Sequence, residues 1–208
     1  MRSTQLPQQH LDHSLKQLLA EVHACRVCAL QLPLGPLPLL RASATARLLI
    51  AGQAPGRRAH LCGIPWDDPS GDRLRLWMGV DRPQFYDERL IAIIPAGFCY
   101  PGSGRSGDLP PRKECAELWL ERLLQHMPQI RLTLLIGQYA QREYLGSRRR
   151  GTLTETVRAW REFLPEYIPL PHPSGRNNVW LKRNPWFDEE VLPYLRRRCQ
   201  EFKFVEPQ

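Results

Sequence analysis

The amino-acid sequence predicts an α/β fold, a mainly parallel sheet covered by helices on both sides. Two patterns carry that expectation. Four short apolar runs, at 47–51, Leu90–Pro95, Leu132–Gly137 and Tyr167–Leu170, have the length of buried strands and run into turn-forming residues. Around them apolar residues recur at helical spacing, and strands that alternate with helices assemble into parallel sheets.

Leu11, Leu15, Leu18, Leu19 and Val22 share one helical face, which predicts an amphipathic helix over 11–24. The Leu30–Leu40 stretch carries Pro33, Pro36 and Pro38, so it is expected to wrap the surface as extended chain. After the first strand, Gly52-Gln53-Ala54-Pro55-Gly56 forces a tight loop. Ser70 is placed to cap a helix reaching Met78, with Leu74 and Trp77 turned inward. The second strand leads into a polar, glycine-rich loop, Gly97–Asp108, and Pro110-Pro111 is expected to start the helix that carries Cys115, Leu118, Leu123 and Leu124. A short helix, Gln138–Leu145, follows the third strand. Thr152 and Glu155 form a capping box for a helix to about Phe163. Asn184-Pro185 opens the last helix, with Leu192, Leu195, Cys199 and Phe202 on one face.

The chain of 208 residues reads as one domain, 1–208, with the N-terminal helix within 1–24 and a cysteine-containing extended segment over 25–40. No apolar run approaches the roughly 20 residues of a membrane helix, and the N-terminus lacks a secretory signal, so a cytoplasmic, nucleoid-associated protein is expected. Lys and Arg exceed Asp and Glu by 29 to 21, a net charge of +8, with clusters at Arg57-Arg58, Arg148-Arg149-Arg150 and Arg196-Arg197-Arg198. Such a balance favours a polyanionic partner through counterion release, or else a solvated face. Six cysteines in a cytosolic chain argue for metal binding or burial rather than disulfides. Cys25 and Cys28 form a CxxC pair after a helix, while Cys99 and Cys115 lie in a loop and on the helix that follows. Four thiolates drawn from two places suit an iron–sulphur cluster or, alternatively, zinc.

Gly52-Gln53-Ala54-Pro55-Gly56, Gly63-Ile64-Pro65-Trp66 and His172-Pro173-Ser174, in that order, resemble the motifs of the uracil-DNA glycosylase superfamily, and the chain is most similar to its iron–sulphur (family 4) branch. The four cysteines match that branch in order, and the segment from Leu134 to Gly146 also resembles it. The resemblance implies a three-layer α/β/α sandwich with a central four-stranded parallel sheet, a monomeric base-excision enzyme acting on DNA that contains a damaged base, and a cluster, 4Fe-4S in kind, on Cys25, Cys28, Cys99 and Cys115. By the same likeness His172 stabilises the departing base, Gln53 and Trp66 shape its pocket with Gly52, Ala54, Pro55, Gly56 and Ser174, and Arg57, Arg58 and Arg176 hold phosphates.

Three positions depart from that pattern. The branch has glutamate where this chain has Gln53, and a neutral amide is no base; Asp67, Asp68 and Asp72 are nearby acids, with Asp68 ranked first. No asparagine follows the second strand, where Ile93-Ile94-Pro95-Ala96 stands instead, so a damaged base other than uracil is a second possibility. Gly175-Arg176 after the HPS motif supplies no apolar wedge, which suits insertion of Arg176 or single-stranded DNA. The rival expectation is a DNA-binding or damage-sensing protein that keeps the fold and cluster without catalysis. A third is a zinc-stabilised protein that binds a nucleotide.

Overall fold

The computed structural model describes residues 5–105 and 107–202, with side chains from Ser14 onward. Helix α1 (Gln5–Ala24) begins earlier than the expected 11–24 and buries Leu15, Leu18 and Val22, while the Leu11 side chain lies outside the described residues. A 3-10 turn at Ala29–Gln31 interrupts the extended segment. This segment is more than a surface wrap. Leu39 N–H donates to Phe98 O at 2.7 Å, and Arg41 bridges antiparallel to Ile93.

Strand β1 (Leu48–Ala51) is followed by α2 (Arg57–Cys62), α3 (Pro69–Met78), α4 (Arg82–Phe85) and β2 (Ile91–Ile93). A small antiparallel hairpin, β3 (Ser103–Gly104) and β4 (Gly107–Asp108), stands inside what the sequence presents as loop. Then come α5 (Glu121–Gln125), β5 (Leu132–Ile136), α6 (Gly137–Leu145), α7 (Leu153–Arg158), β6 (Tyr167–Leu170), α8 (Asn178–Arg183) and α9 (Leu192–Glu201).

The sheet has four strands in the order β2-β1-β5-β6, all parallel. Every β1 residue is buried because successive side chains enter opposite layers. Leu48 and Ile50 pack with Trp77, Phe85, Phe187 and Leu195 of α3, α4 and the C-terminal helices. Leu49 instead packs with Leu15, Leu18 and Val22 of α1 and with Leu123 of α5. The result is the expected three-layer α/β/α sandwich. No helix among the described residues is long and apolar enough to cross a membrane.

Two further helix starts differ from expectation. Asp68, not Ser70, caps α3: its carboxylate accepts Gly71 N–H at 2.8 Å, and Pro69 takes the first helical turn. The chain remains non-helical through Pro110-Pro111 and winds into helix only from Glu114, passing through a π-helical stretch at Ala116–Leu120. A proline biases the residue before it away from helical geometry, which holds Pro110 extended. The Thr152–Glu155 capping box forms as the sequence reads, with Glu155 N–H on Thr152 Oγ1 at 3.1 Å.

Candidate functional site

Parallel strands deliver their following loops to one edge, and there the loops enclose a cavity of about 540 Å³. Its wall includes Gly52, Gln53, Ala54, Pro55 and Gly56 after β1, Trp66 and Asp68 before α3, and His172, Ser174 and Arg176 after β6. The residues predicted for the base pocket and its phosphate contacts thus meet in one place, save two. Arg57 and Arg58 sit exposed on α2, outside the cavity wall. Of the three acids considered from the sequence, Asp67 is paired with Arg82 at 2.6 Å and Asp72 with Arg75 at 2.5 Å, so Asp68 alone of them lines the cavity.

The loop after β1 is pinned by backbone bonds. Ala96 N–H donates to Gly52 O and Gly97 N–H to Gln53 O, both at 2.9 Å. The Gln53 carboxamide reaches across to the residue just after the hairpin, donating to Leu109 O at 2.8 Å.

Trp66 is held in an unusual backbone conformation, with φ of 61°. Such a left-handed tryptophan costs on the order of 1–3 kcal/mol and persists only where the surroundings impose it. Here they do. Arg75, buried among Phe85 and Tyr86, donates to Trp66 O at 3.3 Å, and Tyr86 Oη donates to Pro65 O at 2.8 Å. Gly71 lies so close that a β-carbon there would stand 1.8 Å from Trp66 O.

Constrained in this way, the indole stacks beside His172, with ring centroids 5.6 Å apart and planes 26° from parallel. That spacing leaves no room for a third ring between them. The pair therefore forms one aromatic wall of the cavity and not two jaws.

His172 is positioned from below. Gln141, fully buried on α6, donates to Leu170 O at 3.1 Å, fixing the end of β6 two residues upstream. Asn177 Nδ2 donates to His172 O at 2.7 Å. Ser174 N–H points at His172 Nδ1 from 3.2 Å. An amide can only donate, so Nδ1 accepts and the ring proton resides on Nε2. Burial holds the imidazole pKa below its ordinary value, against the opposing pull of Asp68 and Asp108 and with a lesser lowering from Arg176. A neutral ring with a donating Nε2–H is the consequence.

Other wall residues were not singled out from the sequence: Asp108, Gln138, Tyr139 and Asn177. Gln138 follows the end of β5, so reading every strand end as cavity edge finds it. Asp108 has no such signal, because its hairpin is built from glycine and polar residues with no alternating pattern.

The four cysteines also converge. Cys25, Cys28, Cys99 and Cys115 line one small pocket of about 20 Å³, walled by Leu32, Pro38, Phe98 and Trp119. Phe98 N–H donates to Cys115 Sγ at 3.4 Å. Burial pushes the Cys99 thiol up to about 11 and the Cys115 thiol to about 12. Among the described residues no group of three or more His, Cys, Asp or Glu is arranged to hold a metal ion as it stands.

A parallel α/β/α sheet whose strand ends share a cavity with a neutral histidine and a stacked tryptophan defines an enzyme-like ligand site. Residues 41–196 match the sequence profile of the uracil DNA glycosylase superfamily, and the chain belongs to that superfamily. The match begins after the Cys25–Cys28 segment.

Proposed function

We propose that this protein is a DNA glycosylase of the iron–sulphur branch, hydrolysing the N-glycosidic bond of uracil or a related damaged base. The observation that carries the reading is the shared cavity in which a donating His172 Nε2–H stands beside Trp66. Its volume falls within the range of small-ligand sites. An extruded base lies along the Trp66–His172 wall, and its carbonyl oxygen meets the imidazole donor. Cleavage leaves negative charge on that oxygen, and a fixed neutral donor in a partly dry cavity stabilises it without reorganisation. Backbone amides of the loop from Gly52 to Gly56 are a second source of donors. Arg176, at the cavity wall, and Arg57 and Arg58, exposed on α2, supply phosphate contacts to flanking nucleotides.

The cysteine quartet fits a cluster of the 4Fe-4S kind. All four cysteines line one pocket, which Arg112 also borders, and the Phe98 amide donates to one of the sulphurs as amides do to cluster thiolates. Zinc is the alternative occupant for the same donor set. The group would tie the chain after α1 to the segments that flank the hairpin.

The test is a panel of oligonucleotides bearing uracil and other damaged bases, single- and double-stranded, assayed for abasic sites. Wild-type protein is expected to release base from at least one. His172→Ala should lower the single-turnover rate by roughly 10²–10³-fold, the cost of one oxyanion donor, while retaining wild-type thermal unfolding. Undiminished release by that variant sinks the mechanism. Salt-dependent DNA binding with no abasic product from any lesion would favour a damage-sensing protein.

A further inference from the structure

Gln53 leaves a gap in the proposed chemistry, because its neutral amide cannot take a proton from water. Among the described residues two carboxylates line the cavity, Asp68 and Asp108. Asp68 Oδ1 is engaged by the α3 terminus, accepting Gly71 N–H at 2.8 Å. Asp108 is differently placed. It stands on β4, at the lip of the cavity, where Oδ1 accepts from Ser103 Oγ at 3.1 Å. Its Oδ2 lies 3.5 Å from the point that a β-carbon on Gly56 would occupy, against the loop after β1.

The Gln53 amide explains why the hairpin stays there. Its Nε2 donates to Leu109 O at 2.8 Å and reaches Asp108 O at 3.5 Å. A glutamate at 53 would oppose those carbonyls with negative charge. From the other side, Arg176 covers Gly107 so closely that a β-carbon there would stand 2.0 Å from Nη1. The lip is thus clamped between the loop after β1 and the loop after β6.

We infer that Asp108 is the catalytic carboxylate of this enzyme, with Gln53 as its positioning residue. The inference rests on the glycosylase reading above. With the base lying deep along Trp66 and His172, the sugar lies at the mouth, level with Asp108. The C1′–N bond breaks with its electron pair leaving on the base, and the oxygen of one water bonds to C1′. The proton of that water passes to the Asp108 carboxylate and from it to solvent, while the base anion takes one proton from solvent. Before water attacks, the same carboxylate faces the cationic sugar and stabilises it.

The experiment is single-turnover base release across a pH series, on the lesion that wild-type protein cleaves best, with full-length variants checked for intact unfolding. Asp108→Asn is expected to lose roughly 10²-fold in rate and to lose the fall in rate that wild-type protein shows at low pH. Gln53→Ala should slow the reaction and keep that acid limb, as a residue acting through another does. Asp68→Asn, whose amide oxygen still caps α3, should keep it too, whatever its rate. Wild-type speed in Asp108→Asn, with His172→Ala impaired, overturns the inference and spares the glycosylase reading. Transfer of the lost limb to Asp68→Asn overturns it equally. If wild-type protein releases no base at all, both readings fall together.

Discussion

The cavity at the sheet edge and the cysteine pocket are built on opposite principles. The larger, of about 540 Å³, is open at the sheet edge and walled by polar groups whose hydrogen bonds are fixed in advance. The smaller, of about 20 Å³, is walled mainly by apolar side chains, with four thiols and Arg112 as its polar groups. A transient ligand needs the first kind of space, since it must enter, be oriented and leave. A resident group needs the second, since it is held permanently and contributes its binding free energy to folding. The difference assigns separate duties: removing residues from the small cavity should act on stability, and from the large one on chemistry.

The most severe way to break that division is the double change Cys99→Ser, Cys115→Ser. If the quartet holds a cluster, anaerobically purified wild-type protein contains iron and labile sulphide, and the variant contains neither. Its melting temperature should fall by about 10 °C, the size expected when several kcal/mol of metal-linked folding energy is lost. Iron, sulphide and zinc assays with thermal unfolding report the outcome. A variant with unaltered metal content and melting point would show the small cavity to be ordinary packing.

A smaller effect is expected at Gly71. Alanine is the better helix former, so an exposed helical glycine gains about 1 kcal/mol on that exchange. Here the added carbon would stand 1.8 Å from Trp66 O. Gly71→Ala is therefore expected to destabilise by about 1–3 kcal/mol in urea unfolding. It should also displace the indole from His172 and slow base release. A neutral or stabilising result would mean that the Trp66 loop relaxes freely, and the claim that its backbone is imposed by α3 would fail.

These cases show how far the sequence reaches. The sheet was legible because four apolar runs of strand length are separated by helical spacing, and β1, β5 and β6 lie within a residue of where those runs put them. The meeting of Trp66 and His172 was legible through ordered motifs, since neither residue carries local signals of proximity to the other. Asp108 was not legible. A two-residue strand of glycine and aspartate has no hydrophobic period, and its position depends on Gln53 and Arg176, which lie far away in sequence. The cap of α3 was misplaced by two residues because Asp68, Ser70 and Asp72 are all good capping types. Pro69 favours Asp68 as the cap, because its fixed φ and missing amide suit the first helical position.

The finest distinction between the cavities is in their response to pH. His172 folds into a setting that lowers its pKa, with burial as the main cause, Asp68 and Asp108 opposing it and Arg176 assisting. The unfolded chain takes a proton on this histidine near the ordinary value of about 6.5, and the folded chain does so only at lower pH. Between those two points the unfolded state binds more protons, so stability rises with pH through that window and is level above it. Each tenfold reduction in proton affinity corresponds to about 1.4 kcal/mol. In His172→Gln the contribution is absent. The stability of wild-type protein relative to this variant should therefore be greater at pH 7 than at pH 5, measured by urea unfolding at both. An equal difference at the two pH values would mean that the imidazole titrates as freely folded as unfolded, and that the large cavity does not keep its donor neutral.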